Sequence, residues 1–291
     1  MDWGPWMVHM IERVAALSPQ KQAELLLRLQ QQQPAASSDK WVIRYRSNPR
    51  ADLRLFCFSY AGGGASVFRS WGDALPQEVE VCAIQLPGRE SRIGEPAYRR
   101  VAALVAPLGE AIEAYLDRPF AFFGHSMGAL VAFELTRHLR RTSRPQPVRL
   151  MLAAYRAPQL PNPNIKIYHL PDEVLKVILR SEGIPQRVLQ NEELMQAMLP
   201  TLRADFELCD TYEYTLEAPL TCPLSIFGGL EDVRISTCDL EGWRIHTDTT
   251  CSFTQLPGSH FFVHSCQDLL LAAIARGLAS DKKVERRESH V

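Results

Sequence analysis

Residues Phe120 to Phe133 read Phe-Ala-Phe-Phe-Gly-His-Ser-Met-Gly-Ala-Leu-Val-Ala-Phe, and this stretch constrains the fold more than any other. An apolar run short enough for a buried strand reaches Gly124-His125-Ser126-Met127-Gly128 and passes at once into a helix-like run over Ala129–Leu139. G-x-S-x-G in that setting predicts a sharp strand-to-helix turn that lifts a serine hydroxyl out of the backbone. Bulkier residues at either glycine would collide with neighbouring backbone in so tight a turn. A purely structural turn is the plainer alternative, and the strand before it and helix after it favour a nucleophile.

The same rhythm extends along the chain. Apolar runs at Trp41–Tyr45, Leu53–Phe58, Val79–Gln85, Phe120–Phe123, Val148–Ala153, Leu224–Phe227 and Ser252–Gln255 predict strands, the first two joined by the Ser47-Asn48-Pro49 turn. Helical spacing lies between them at Val101–Tyr115 and Ala129–Leu139, and after the last of them at Asp268–Leu278. Alternation of this kind predicts a mostly parallel sheet with helices on both faces. Residues of about 157 to 216 break the pattern, with Pro158, Pro161 and Pro163 followed by helix-like runs at Asp172–Glu182, Asn191–Leu199 and Leu202–Tyr212. A helical insertion in an α/β sheet is expected to cover the site as a lid. Its apolar positions Leu175, Ile178, Leu179, Met195, Met198 and Leu199 fit helix packing better than an acyl groove. The division is therefore 1–40 as an N-terminal helical extension and linker, 41–280 as one α/β domain, and 281–291 as a flexible tail. The extension serves either as a hairpin packed on the body or as a docking element.

Composition narrows the function classes. With 46% hydrophobic and 22% charged residues, 291 residues suit a soluble globular protein with a sizeable core. A formal net charge of −1 carries no footprint for nucleic acid or an anionic membrane surface. The seven cysteines, with no C-x-x-C pair, read as reduced residues, and Cys57 and Cys82 lie in apolar runs. No zinc site is expected. The first residues lack the form of a signal peptide, and no apolar run approaches the ~20 residues that span a bilayer. The expected location is the cytoplasm.

A serine hydroxyl needs a base, and the base needs an orienting acid. On a sheet carrying such an elbow, the chain order is serine, acid, histidine. His260 follows the last strand and the Pro257-Gly258-Ser259 turn, where a late loop would deliver the base, and His264 is the alternative. His138 falls on the helix leaving the elbow, His169 in the insertion, and His246 reads as a solvated surface residue. Asp232 stands just past the strand in Phe227-Gly228-Gly229-Leu230-Glu231-Asp232 and is the expected acid, with Glu231 as its competitor. Asp205 and Asp210 read as solvated helix positions. The developing oxyanion needs backbone donors, expected from Met127, the residue after the nucleophile, and from Ala61 in Phe58-Ser59-Tyr60-Ala61-Gly62-Gly63-Gly64. That glycine run lacks the spacing of G-x-G-x-x-G, and no G-K-[ST] follows it, which argues against a nucleotide site.

Six segments in order resemble one family. They are Leu55–Ser66, Gln85-Leu86-Pro87-Gly88-Arg89-Glu90-Ser91-Arg92, Phe123-Gly124-His125-Ser126-Met127-Gly128-Ala129, Arg156-Ala157-Pro158, Phe227–Asp232 and Pro257-Gly258-Ser259-His260-Phe261-Phe262. From about 50 to 279 the chain resembles the type II thioesterases of polyketide and non-ribosomal peptide biosynthesis. The resemblance implies an α/β-hydrolase fold with a helical lid, no cofactor of its own, and a monomer. It also implies hydrolysis of acyl groups from the phosphopantetheine arm of acyl or peptidyl carrier proteins, in editing or product release. By motif, Ser126, Asp232 and His260 match the family's triad, and Ala61 and Met127 its oxyanion-hole amides. Ser59 stands where the family usually has proline, Ser259 where it often has glycine, and Ala154-Tyr155 where Ser-Gly or Gly-Arg is more usual. Leu17–Lys21 and Leu25–Leu29 resemble the segment that opens many peptide-synthetase modules. The competing readings are a medium-chain fatty-acid-synthase thioesterase, an acyltransferase, a carboxylesterase, and a catalytically silent partner-binding protein of the same fold.

Overall fold

The computed structural model describes residues 40–288, apart from residue 164 and residues 182–185. All but Lys40 of the extension expected over 1–40 therefore lies outside the described residues. Seven strands form one sheet: β1 (Val42–Ile43), β2 (Leu53–Phe58), β3 (Val79–Ile84), β4 (Phe120–His125), β5 (Arg149–Ala153), β6 (Leu224–Gly229) and β7 (Cys251–Leu256). Their order across the sheet is β1-β3-β2-β4-β5-β6-β7. β1 runs antiparallel to β3, and every other pairing is parallel. The turn at Ser47-Asn48-Pro49 does not pair β1 with β2. β3 sits between them, because Val42 and Ile43 take register with Ile84 and Ala83.

Both faces of a parallel sheet are covered, so its strands need apolar residues at successive positions rather than at alternate ones. β2 and β4 show the consequence. Phe56, Phe58, Phe120 and Phe122 point into one apolar cluster, and Leu55, Cys57, Ala121 and Phe123 into the other. The first cluster is closed by α1 (Val101–Ile112) and α2 (Met127–Arg141), through Leu104, Leu108, Leu130 and Leu135 among others. The second is closed by α5 (Gln267–Glu288), through Leu270, Ile274 and Leu278, together with Phe68 and Trp71. Phe56 meets Phe122 edge to face at 5.7 Å between ring centroids, and full burial of each such ring contributes about 1.5–3 kcal/mol. Cys57 and Cys82 pack as small apolar residues in these clusters, and every cysteine among the described residues is a free thiol. α5 runs on to Glu288, past the Leu278 end expected for the helix and into the segment read as a flexible tail. Its Lys, Glu and Arg residues are good helix formers, which a reading of charge alone overlooks.

The chain between β5 and β6 is helical, with α3 (Asp172–Ser181), a single turn at Gln186–Leu189, and α4 (Glu192–Asp210). The helices expected at Asn191–Leu199 and Leu202–Tyr212 are one element. Pro200 lies inside it. A proline there forfeits one backbone bond and costs about 3 kcal/mol. Continuity is held by what lies on either side: Asn191 caps the first turn by accepting from the Leu194 amide at 3.0 Å, and Met195, Leu199 and Leu202 pack with Leu175, Leu179, Val188 and Leu189 in a third cluster. The apolar positions of the insertion thus face one another. Beyond Pro200, Leu208 joins the main core.

One contact fixes how β4 turns into α2. A Cβ on Gly124 would overlap the Gly128 carbonyl, and a Cβ on Gly128 would overlap the carbonyls of Phe58 and Ser59. Each obstacle is backbone, which cannot swing aside. Gly128→Ala should therefore lower stability by roughly 3 kcal/mol or more, read as a fall in the urea midpoint. An unchanged midpoint would show that the turn can open.

Candidate active site

Ser126 sits at the junction of β4 and α2 with φ 53° and ψ −121°, backbone angles that a non-glycine residue rarely adopts. Strain of this kind is sustained only where the surroundings over-determine it. Here the Ser126 amide donates to the Ala153 carbonyl at the end of β5 (2.8 Å), and the Ser126 carbonyl accepts from the Ala129 amide (2.8 Å). The hydroxyl is thereby carried to the carboxyl end of the sheet.

The turn after β7 brings His260 to it. His260 Nε2 lies 3.0 Å from Ser126 Oγ, and His260 Nδ1 lies 2.8 Å from Asp232 Oδ2. Asp232 follows β6, and its side chain is only 1% exposed. Its Oδ1 accepts from the Arg234 amide at 2.9 Å, so both carboxylate oxygens are engaged. With Nδ1–H donating to the Asp232 carboxylate, Nε2 carries the lone pair, and the Ser126 hydroxyl donates to it. The alternatives named from sequence stand elsewhere: Glu231 is solvent-exposed, and His264 Nε2 lies 2.8 Å from the Tyr60 hydroxyl. His125, wholly buried at the end of β4, adds a tie that sequence reasoning missed. Its Nε2–H donates to the His260 carbonyl at 2.9 Å, joining the residue before the serine to the backbone of the base.

Ala61 lies in the turn after β2, where the Gly63 amide donates to the Tyr60 carbonyl at 2.9 Å. Met127 opens α2, whose Gly128 abuts the carbonyls of Phe58 and Ser59. The two candidate oxyanion donors are therefore on neighbouring backbone segments. After Gly64 the chain makes the 3-10 turn Ala65–Phe68 and the four-residue helix Trp71–Ala74, not the long helix on which a dinucleotide pyrophosphate rests. Among the described residues, no group of three or more His, Cys, Asp or Glu is placed to hold a metal ion, and no helix is long and apolar enough to cross a membrane.

Comparison with known proteins shows the family. A family model described as a thioesterase domain matches residues 53–278. Gramicidin S biosynthesis protein GrsT of Aneurinibacillus migulanus is 44% identical over 227 residues, covering 78% of this chain and 89% of the relative. A protein named linear gramicidin dehydrogenase LgrE, from Brevibacillus parabrevis, is 43% identical over 253 residues, covering 86% of this chain and 96% of that one. Among solved structures, the type II thioesterase BorB from the borrelidin biosynthetic cluster superposes with a TM-score of 0.75 at 32% identity, covering 83% of this chain and 98% of its own.

Two residues read from sequence as solvated are buried. Asp205 on α4 is 1% exposed and pairs with Arg89 through both carboxylate oxygens. His246 is 4% exposed, sits among the rings of Phe133, Trp243 and Tyr214, and donates from Nε2 to Gln159 Oε1 at 2.6 Å. Asp210 is half-buried and accepts from the Ile167 amide at 3.2 Å. Burial, with Arg137 nearby as a smaller cause, holds the His246 pKa at about 4, against an ordinary 6.5. Burial also brings His264 to about 4, and it puts His125 well below the ordinary range. These rings are neutral in the folded protein at pH 7. Below about pH 6.5 the unfolded chain takes up protons that the folded chain refuses until near pH 4, so stability falls as pH drops through that window. Between pH 7 and pH 5 the urea unfolding free energy should fall by about 2 kcal/mol for each ring held neutral, and His246→Gln should flatten part of the slope. A pH-independent unfolding free energy would show that these rings are not held neutral.

Proposed function

The chain belongs to the thioesterase family, and from that premise we propose that it hydrolyses acyl thioesters on the phosphopantetheine arm of carrier proteins in peptide or polyketide assembly. The observation that carries this reading is the continuous chain of hydrogen bonds from Ser126 through His260 to Asp232, at 3.0 and 2.8 Å, in a domain of that family. The names of the relatives, which put them in gramicidin and borrelidin biosynthesis, support a carrier-protein partner. The dehydrogenase name of one relative is not carried over, because the glycine loop of this chain has no helix of the kind a dinucleotide needs.

In this reading, His260 Nε2 accepts the Ser126 proton as Oγ attacks the thioester carbonyl. The carbonyl π pair moves onto oxygen, where the Ala61 and Met127 amides hold the negative charge. Asp232 stabilises the imidazolium. Collapse breaks the C–S bond, and the thiol leaves with the proton from Nε2. Water then gives a proton to His260, attacks the acyl ester and releases the carboxylic acid as the proton returns to Ser126. Water is the second substrate, and the route needs no cofactor. The helical insertion between β5 and β6 serves as the lid of a single domain over residues 41–280.

Ser126→Ala should lose acyl-enzyme formation and turnover while keeping the parent melting temperature. Near-parent hydrolysis of acyl-loaded carrier proteins, read as released acid by mass, would overturn the nucleophile assignment. Asp232→Asn should lose on the order of 10⁴ in turnover. A loss of only a few-fold would move the acid role away from Asp232.

A further inference from the structure

The face that α4 turns toward the glycine loop is polar where a mere cover would be apolar. Asp205 Oδ2 accepts from the Gly62 amide at 2.7 Å and from Arg89 Nη1 at 2.8 Å, while Oδ1 accepts from Arg89 Nη2 at 2.8 Å. Arg89, 5% exposed, also donates to the Gly63 carbonyl at 3.3 Å. One turn earlier on α4, the Thr201 hydroxyl donates to the Gly88 carbonyl. Leu202 lies so close to Gly62 that a Cβ there would come within 2.6 Å of Leu202 Cδ2. A single helix face thus holds both the loop after β2 and the loop after β3.

Ala61 sits at the centre of this arrangement. The amide that follows it is bound to Asp205, and the turn around it is closed by the Gly63 amide on the Tyr60 carbonyl. Gly62 itself has φ 77°, so its backbone would relax readily were the carboxylate withdrawn. Stability is a weak reason for such a cluster, since a buried ion pair is often no better than well-packed apolar side chains. Electrostatics gives a sharper one. A lone carboxylate beside a site of developing negative charge would oppose it. The bidentate guanidinium offsets the carboxylate charge, and Oδ2 accepts from both the guanidinium and the Gly62 amide.

We propose that Asp205 and Arg89 are positioning residues for the oxyanion loop, fixing the Ala61 amide from the lid helix α4. This rests on the reading of Ala61 as an oxyanion donor. Losing one such donor costs on the order of 10²–10³-fold in turnover, so a displaced loop should lose a substantial part of that.

The test uses the full chain, an octanoyl N-acetylcysteamine thioester as substrate, and a matched alkyl trifluoromethyl ketone as inhibitor. The ketone carbonyl takes Ser126 Oγ in a new C–O bond, its oxygen becomes an oxyanion, and the serine proton passes to His260. Its affinity therefore reports the oxyanion site in a way that KM does not. Asp205→Asn should lower kcat by roughly 30-fold or more, move KM by less than about threefold, and weaken the ketone by about tenfold or more. Arg89→Lys keeps the charge but loses the fork, and should show the same split with a smaller loss. A folded Asp205→Asn with kcat and ketone affinity near those of the parent would reduce the cluster to a structural clamp. If Asp205→Asn fails to fold, Arg89→Lys decides by the same two measurements. Should the parent leave the thioester intact, the proposed function falls, and the ketone comparison still decides the positioning role.

Discussion

Backbone touching backbone at the turn between β4 and α2 is the constraint on which the rest depends. Gly124 lies against the Gly128 carbonyl, and Gly128 against those of Phe58 and Ser59. No side chain mediates either contact, so the angle between strand and helix is set by van der Waals radii alone. That angle forces the unusual φ of Ser126, and it places the first turn of α2 beside the loop that carries Ala61. Ser126, the proposed nucleophile, and both candidate oxyanion amides therefore share one junction. His260 and Asp232, the proposed base and acid, follow strands further along the sheet and are held to it by hydrogen bonds, among them the His125 ring on the His260 carbonyl.

What could be read from sequence was what neighbouring residues determine. The strands of the parallel sheet were legible because burial on two faces writes an unbroken apolar run, and Phe120–Phe123 is such a run. The elbow was legible because its glycines, serine and helix are contiguous. Ser126, Asp232 and His260 were singled out by the chain order serine, acid, histidine expected of such an elbow, and the structure brings the three side chains together.

What was misread depends on a remote partner. Asp205 is 116 residues from Arg89, and nothing near it in the chain separates it from any other helical aspartate. His246 is 87 residues from the Gln159 that it donates to, and polar neighbours such as Thr247 and Asp248 disguise its burial. Pro200 is the reverse case. It is a strong local signal to end a helix, overruled by the packing of Leu199 and Leu202 on either side of it.

The strand order has a metrical consequence. Strands in a sheet stand about 4.8 Å apart, so β6 and β7 lie roughly 10 and 14 Å from β4, and the groups they deliver have to reach back over that span. The turn Pro257–Ser259 links the end of β7 to His260. One residue of extended chain covers about 3.3 Å, more than the whole separation between His260 Nε2 and Ser126 Oγ. The turn is therefore a spacer whose length matters more than its chemistry. It cannot lose a link.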